Sequence, residues 1–249
     1  MTEKNKLSFE GLAGGAPYDV VCRLAGFGPR FYRRAAWSIP LRPGMRILDV
    51  ACGTAGFSLA AAGRIGSDGS VDGVDLSKTQ LDYARVKSEK SATRFTFHRC
   101  SADAMPFEDK TFDAAISSLA FHEMPAEVRR GTILEIARVL KPGGFFALVD
   151  WTRPRCSPGG LFWLPLLRTF EYSADNWNNA YPALCEAAGL ELLTDVYLRG
   201  AVRCQVFERV GGERDGLQGH ACRAACDTGG NAGPFPDGPD GEASRTGRL

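Results

Sequence analysis

Asp49 and Asp75, each at the end of an apolar run, are residues whose type and placement point most directly to chemistry. Asp49 lies in Arg46-Ile47-Leu48-Asp49-Val50-Ala51-Cys52-Gly53-Thr54-Ala55-Gly56, where an apolar strand leads through small residues to a helix starting near Phe57. Small residues let backbone amides approach a ligand closely, and the following helix N-terminus adds a partial positive charge. Asp75 closes Val71-Asp72-Gly73-Val74-Asp75, where a carboxylate can accept both hydroxyls of a ribose.

The loop alone admits three readings. Read as Ala51-x-Gly53-x-x-Gly56, it is one substitution from the nicotinamide fingerprint, and a ligand-free strand-to-helix turn also fits it. Asp49 separates them. A carboxylate at the mouth of the loop repels a pyrophosphate and attracts an ammonium group. A cofactor with an adenosine ribose, an amino-acid ammonium and no phosphate is S-adenosylmethionine.

The elements that must position these acids alternate along the chain. Strands are expected near 46–51, 71–75, 94–99, 112–117 and 144–150, with helices near 57–64, 77–90 and 126–139. Ser77 is placed to cap the second of these helices, and Pro142-Gly143-Gly144 ends the third and opens the fifth strand. This rhythm implies right-handed βαβ units and a mostly parallel sheet. Upstream, Tyr18 to about Trp37 reads as one or two helices with an apolar stripe of Val20, Val21, Leu24 and Phe27. Downstream come a Pro/Gly loop at 152–160, an apolar stretch at 161–170, and a helix from Asp175 to Ala188 with Gly189 past its end. Two β-rich runs, 190–198 and 202–208, joined by Arg199-Gly200-Ala201, read as a terminal hairpin that leaves one strand antiparallel. The expected fold is α/β: a Rossmann-like, seven-stranded, mostly parallel sheet with a terminal antiparallel hairpin and helices on both faces.

Composition bounds the rest. The 249 residues suffice for one α/β domain with a substantial core, and a net charge of +1 gives no bulk attraction for nucleic acid. The apolar run Leu161–Leu167 is far too short to span a bilayer, and no secretory signal is apparent behind Met1-Thr2-Glu3-Lys4. The 8 cysteines follow no regular spacing, which suits reduced thiols and a cytoplasmic setting. Residues 1–16 are expected to be a flexible N-terminus, 17–210 the catalytic domain, and 211–249 a disordered Gly/Pro-rich tail with too few apolar side chains to form a core. His220, Cys222 and Cys226 in that tail lack a zinc spacing, so no metal is expected.

Several motifs in sequence order carry a family resemblance. Ile47–Thr54, Gly73–Ser77, Ser101–Phe107, Phe112–Ser118 and Arg138–Gly144 resemble the successive motifs of class I S-adenosylmethionine-dependent methyltransferases. Within that class, roughly residues 17–210 look most like the ubiquinone/menaquinone biosynthesis C-methyltransferase branch. The resemblance implies that Asp49, with the backbone of Ala51 and Gly53 and neighbours Thr54 and Gly56, holds the amino-acid end of the cofactor. It implies that Asp75 takes the ribose hydroxyls, and that Asp103 and the amide of Ala102 take the adenine edge. Leu76 and Met105 would pack on the adenine faces. Ser117 or Ser118 would line the floor under the sulfonium, and Tyr18, with Tyr32 nearby, would cover the cofactor. One position departs from the family pattern: Ala55 stands where a glycine is usual, so a positive φ there would be strained and would narrow the approach.

The acceptor side should follow the fourth strand, in Leu119-Ala120-Phe121-His122-Glu123-Met124-Pro125. His122 is the candidate base; a histidine that merely shapes the pocket is equally open. Glu123 reads as a solvated charge, and Trp151 as a pocket wall or a core residue. The stretch 161–170 suits core packing, a lid over a hydrophobic acceptor, or peripheral membrane contact. A small-molecule acceptor, quinone-like or lipid-like, is implied by the resemblance and this stretch together. A thiolate chemistry through Cys52, Cys156 and Cys204 is a remote alternative. Two readings of other classes also stand: a nicotinamide-dependent oxidoreductase, and a non-catalytic protein that keeps the cofactor fold.

Overall fold

A computed structural model of the chain describes residues 14–154 and 174–211, all within one compact unit. Seven strands are present among them: β1 (Arg46–Val50), β2 (Ser70–Asp75), β3 (Arg94–Arg99), β4 (Phe112–Ser118), β5 (Leu140–Trp151), β6 (Leu190–Arg199) and β7 (Val202–Arg209). They form one sheet in the order β3-β2-β1-β4-β5-β7-β6. The first five are mutually parallel, and β7 runs antiparallel to both β5 and β6. The chain reverses its strand order between β1 and β4, so the carboxyl ends of those strands open a crevice.

The central strands of the sheet are buried on both faces because they alternate between two cores. Ile47, Val71, Ala114, Ile116, Phe145, Ala147 and Val149 face one core. Leu48, Val50, Val74, Ala115, Phe146 and Leu148 face the other. The first is covered by α2 (Pro29–Trp37) and α3 (Gly56–Ile65), which bring Phe31, Ala35, Phe57, Ala61 and Ile65. The second is covered by α5 (Ala126–Val139), with Ile133, Ile136 and Val139 on its inner face. Each fully buried Val, Leu, Ile or Phe among them contributes roughly 1.5–3 kcal/mol.

The expected elements appear with shifts of a residue or two. Helix α4 (Lys78–Ser88) starts after Ser77, whose hydroxyl accepts from the amide of Gln80 at 3.4 Å. The N-terminal region is two helices, α1 (Ala16–Leu24) and α2, because Gly26 at φ +85° and Gly28-Pro29 break the path. Strand β5 begins at Leu140, ahead of Pro142, and the pairing with β4 slips between Phe112 and Ala114 to accommodate Gly143 at φ +73°. The single helix expected over 175–188 is instead two, α6 (Ala174–Asn178) and α7 (Tyr181–Glu186). Asn179 takes a left-handed turn at φ +54°, and Pro182 restarts the helix in its first turn. Residues 1–13, the stretch 161–170 and the tail from 212, with Cys156, His220, Cys222 and Cys226, lie outside the described residues.

Candidate functional site

The glycine loop turns sharply between β1 and α3. Ala51, Gly53 and Ala55 all have positive φ, at +55°, +51° and +61°. Nothing lies within 4 Å of where a Cβ on Gly53 would project, so the loop borders open space there. Gly56 is needed for a different reason: a Cβ would stand 2.6 Å from the ring of Tyr32. Ala55 is the N-terminal cap of α3, fully buried and left-handed, so the departure from the family pattern does carry backbone strain of about 1–2 kcal/mol.

Asp49 sits beneath this loop at 1% exposure. The hydroxyl of Ser58, one turn into α3, donates to its Oδ2. Its Oδ1 is buried without any hydrogen-bond partner. Burial pushes the carboxyl up to about 7, with the bonds from Ser58 opposing and the nearby charge of Asp75 adding. A buried carboxylate oxygen without a donor is costly, and a ligand cation or N–H relieves that cost.

Asp75 ends β2 beside it, half-buried. Its Oδ2 accepts from the amide of Gly53 at 2.8 Å and its Oδ1 from the amide of Ser77 at 2.8 Å. Burial raises its carboxyl, against those amides and that of Leu76. Each oxygen keeps a lone pair for a further donor. Leu76 next to it is 64% exposed. Asp103 lies farther along, accepting from the hydroxyl of Ser101, with its Cβ against α5 where Gly131 leaves room. Ala102 is buried, and Met105 packs in the core under α5, its amide bonded to Glu135 Oε2 at 2.9 Å. Ser117 is fully buried, its hydroxyl donating to the carbonyl of Val50 at 2.8 Å, so it fastens β4 to β1.

Two tyrosines approach from the N-terminal helices. Tyr32 is hydrogen-bonded to Ser118 and stacks on Phe57 at 6.3 Å; burial first, then the charges of its neighbours, raises its phenol. Tyr18 is hydrogen-bonded to Cys22, and burial raises its phenol too. Helix α1 is tied down by a polar latch: Thr54 Oγ1 donates to Asp19 Oδ1 at 2.5 Å, and Lys87 Nζ reaches Asp19 Oδ2 at 2.6 Å and Thr54 Oγ1 at 3.3 Å. Thr54 thus works through α1. Its sequence position at the loop gave no hint of Asp19 or Lys87 as partners.

On the far side of the crevice, His122 lies in a short 3-10 turn, Phe121–Glu123, after β4. Its ring Nδ1 is 2.7 Å from Asp150 Oδ1, and its amide donates to Asp150 Oδ2 at 3.0 Å. Nε2 stands 3.6 Å from Glu123 Oε1. Glu123 is half exposed. Trp151 is a core residue, packed edge-on to Phe27 at 5.2 Å. Asp150 and Arg129 are site residues that sequence reasoning missed. The first lies next to the end of a largely apolar strand, and the second reads as one of several charges in the first turns of α5.

Comparison with known proteins decides the family. A sequence profile described as a methyltransferase domain matches residues 47–144. An uncharacterized methyltransferase of Synechocystis is 35% identical over 153 residues, covering 60% of this chain and 68% of that protein. The chain belongs to this methyltransferase family. A demethylmenaquinone methyltransferase of Desulfitobacterium hafniense is 33% identical over 141 residues, and the chain spans about half of that relative's length, 55%. The crystal structure of an S-adenosylmethionine-dependent methyltransferase from Aquifex aeolicus shares the fold, with a TM-score of 0.61 at 21% identity over 78% of this chain and 95% of that one. Membership in this family sets aside the nicotinamide reading.

The cofactor of this methyltransferase class, S-adenosylmethionine, carries an ammonium, a ribose diol and a sulfonium. The donor-less Oδ1 of Asp49, the open space beside Gly53 and the free lone pairs of Asp75 fit the first two of these groups. Of the three cysteines of the thiolate alternative, Cys156 lies outside the described residues. Burial pushes the Cys52 thiol well up and the Cys204 thiol up to about 12, and among the described residues no cluster of three metal-ligating side chains occurs.

Proposed function

We propose that this chain transfers the methyl group of S-adenosylmethionine to a small-molecule acceptor of quinone-like chemistry. The observation that carries the reading is Asp49, a fully buried carboxylate with one oxygen left without a donor, beneath a loop that borders open space at Gly53. When bound, the cofactor supplies an electrophilic methyl group, which joins an electron pair on the acceptor while the carbon–sulfur bonding pair stays on sulfur. The protein's part is to position and to shield. Asp49 holds the ammonium, with the backbone of Ala51 and Gly53 beside it. Asp75 accepts from the ribose hydroxyls while keeping its amides from Gly53 and Ser77. Ala102 and Asp103 serve the adenine edge, and Leu76 covers one adenine face. Met105 lends the pocket its floor from within the core, and Ser117 and Gly56 set the backbone on which the pocket rests. Tyr18 and Tyr32 close it from above.

The quinone-like class is supported by the likeness to the relative named as a demethylmenaquinone methyltransferase. The catalytic domain is taken as residues 17–210, with 211–249 as an appended tail. Free thiols at Cys22, Cys52, Cys100, Cys185 and Cys204 support a reducing, cytoplasmic setting. No helix among the described residues is long and apolar enough to cross a membrane.

The test is transfer of a radiolabelled methyl group from the cofactor to a short-chain demethylnaphthoquinol, run beside small polar acceptors such as glycine. Label on the naphthoquinol supports the proposal. Label confined to the polar acceptors overturns the acceptor class, and cofactor binding with no transfer to any acceptor favours a non-catalytic protein.

A further inference from the structure

Asp150 is 3% exposed, yet it is not a core residue by chemistry. Both of its oxygens are taken by groups that fix one neighbour. Oδ2 accepts the amide of His122 at 3.0 Å, and Oδ1 faces the ring Nδ1 of His122 at 2.7 Å while also accepting the amide of Trp151 at 2.7 Å. An ionised carboxylate can only accept. Beside an ionised Asp150, the neutral ring of His122 carries its proton on Nδ1, which leaves the lone pair on Nε2, 3.6 Å from the half-exposed Glu123.

The turn that bears His122 is clamped independently. Arg129, buried in α5, donates from Nη1 to the carbonyls of Phe121 at 3.2 Å and Met124 at 2.7 Å, on either side of His122-Glu123. Its remaining edge is held by Asp175 of α6, with Nη2 at 2.6 Å and Nε at 3.0 Å. Thus β5, α5 and α6 each contribute a charged group to hold one imidazole in one orientation. Burying an aspartate and an arginine at such a turn is costly unless their bonds are satisfied, as they are here.

We infer that Asp150 is a positioning residue that fixes His122 as the Nδ1–H tautomer, with Arg129 and Asp175 holding the turn, so that His122 Nε2 takes a proton from the acceptor. This rests on the methyl-transfer reading and narrows it: the acceptor is one that must lose a proton, a hydroxyl or a ring carbon activated by an adjacent hydroxyl. The proton passes from the acceptor to Nε2, Asp150 stabilises the resulting imidazolium, and Glu123 offers a path to solvent. The groups that act on His122 are Asp150 from β5 and Glu123 from its own turn; Glu123 is in turn within reach of Asp75 from β2 and of Tyr18 and Cys22 from α1. Burial works against the charged ring, but the charge and hydrogen bond of Asp150, with Glu123 adding, outweigh it and raise its pKa.

Imidazole 15N NMR of the full chain without any acceptor tests the tautomer directly, with the signal assigned by its loss in His122→Gln. The expected result is a protonated Nδ1 and a bare Nε2 in the neutral form, switched to Nε2–H in Asp150→Asn. A neutral ring protonated at Nε2 in the native chain overturns the inference. Kinetics with the short-chain demethylnaphthoquinol give the second arm. Asp150→Asn should lower kcat about 10²–10⁴-fold, leave the KM for S-adenosylmethionine unchanged, and move the rising limb of the pH profile to lower pH. If Asp150→Asn fails to fold, Arg129→Lys supplies the kinetic arm, with a smaller fall in kcat and the Nδ1–H tautomer retained. Wild-type kcat in Asp150→Asn overturns the inference. Failure of the methyl-transfer reading looks different: no transfer and no binding of S-adenosylhomocysteine, whatever the tautomer.

Discussion

The two halves of the crevice use buried carboxylates in opposite ways. On the β1–β2 side, Asp49 keeps an oxygen with no donor at all, and Asp75 accepts only backbone amides and retains lone pairs. On the β4–β5 side, Asp150 has both oxygens engaged by His122 and its neighbour Trp151. The first half is incomplete until something cationic and hydroxyl-bearing arrives. The second is complete by itself, and its product is an oriented imidazole. A molecule that must bind a cofactor and then move a proton needs both arrangements, one open and one closed.

Removing the open carboxylate should have the largest effect on binding. Asp49→Asn is expected to weaken S-adenosylhomocysteine about 10- to 100-fold, the worth of one charge-assisted hydrogen bond, as read by calorimetry. The same change should stabilise the fold. The carboxyl of Asp49 titrates near 7 in the folded chain against 3.8 when free, so folding holds its proton between those values. That contribution is present at pH below about 4 and is lost as pH rises to about 7. At pH 8 Asp49→Asn should therefore be more stable by up to a few kcal/mol and unfold at higher temperature, with the gain shrinking toward about pH 4. Loss of binding together with loss of stability would erase the contrast between the two halves.

Smaller changes sharpen the comparison. Tyr32→Phe removes the hydroxyl bonded to Ser118, and should cost about 1 kcal/mol of stability with a comparable loss of cofactor affinity. Ala55→Gly relieves the left-handed alanine at φ +61°, offset by the entropy of glycine; the net is within about 1 kcal/mol, and cofactor affinity should rise a few-fold. Lys87→Met loosens the latch on α1. The pair is partly buried at the surface and worth about 1 kcal/mol, so limited proteolysis in α1 should quicken while global unfolding moves little.

The same contrast explains what the sequence revealed. The cofactor half was legible because its parts are contiguous: strand, acid, small loop and helix lie within Arg46–Gly56, and the apolar alternation of the strands names the sheet that carries them. Its internal partners were less so, since Ser58 reads as an ordinary helix residue and Tyr32 as a second tyrosine behind Tyr18. The acceptor half was barely legible. His122 was visible as a lone histidine after a strand. Its partner Asp150 lies 28 positions later, and only the parallel pairing of β4 with β5 brings the two strand ends together. Arg129 looked like surface charge because α5 carries several such residues, and nothing local marks the one that turns inward. The break at Asn179 was missed because a helical pattern runs through it, and a single left-handed residue leaves no trace in hydrophobic periodicity.

Asp49, buried and with one oxygen short of a donor, is suited to a cationic cofactor. Calorimetry of S-adenosylhomocysteine binding across pH 5 to 9 tests it most directly. Binding is expected to be strongest at about pH 7–8 and to weaken as pH falls below it, by up to tenfold per unit, with proton release on binding below pH 7 that shrinks in Asp49→Asn. No heat at any pH, or an affinity indifferent to pH through this range, would contradict it.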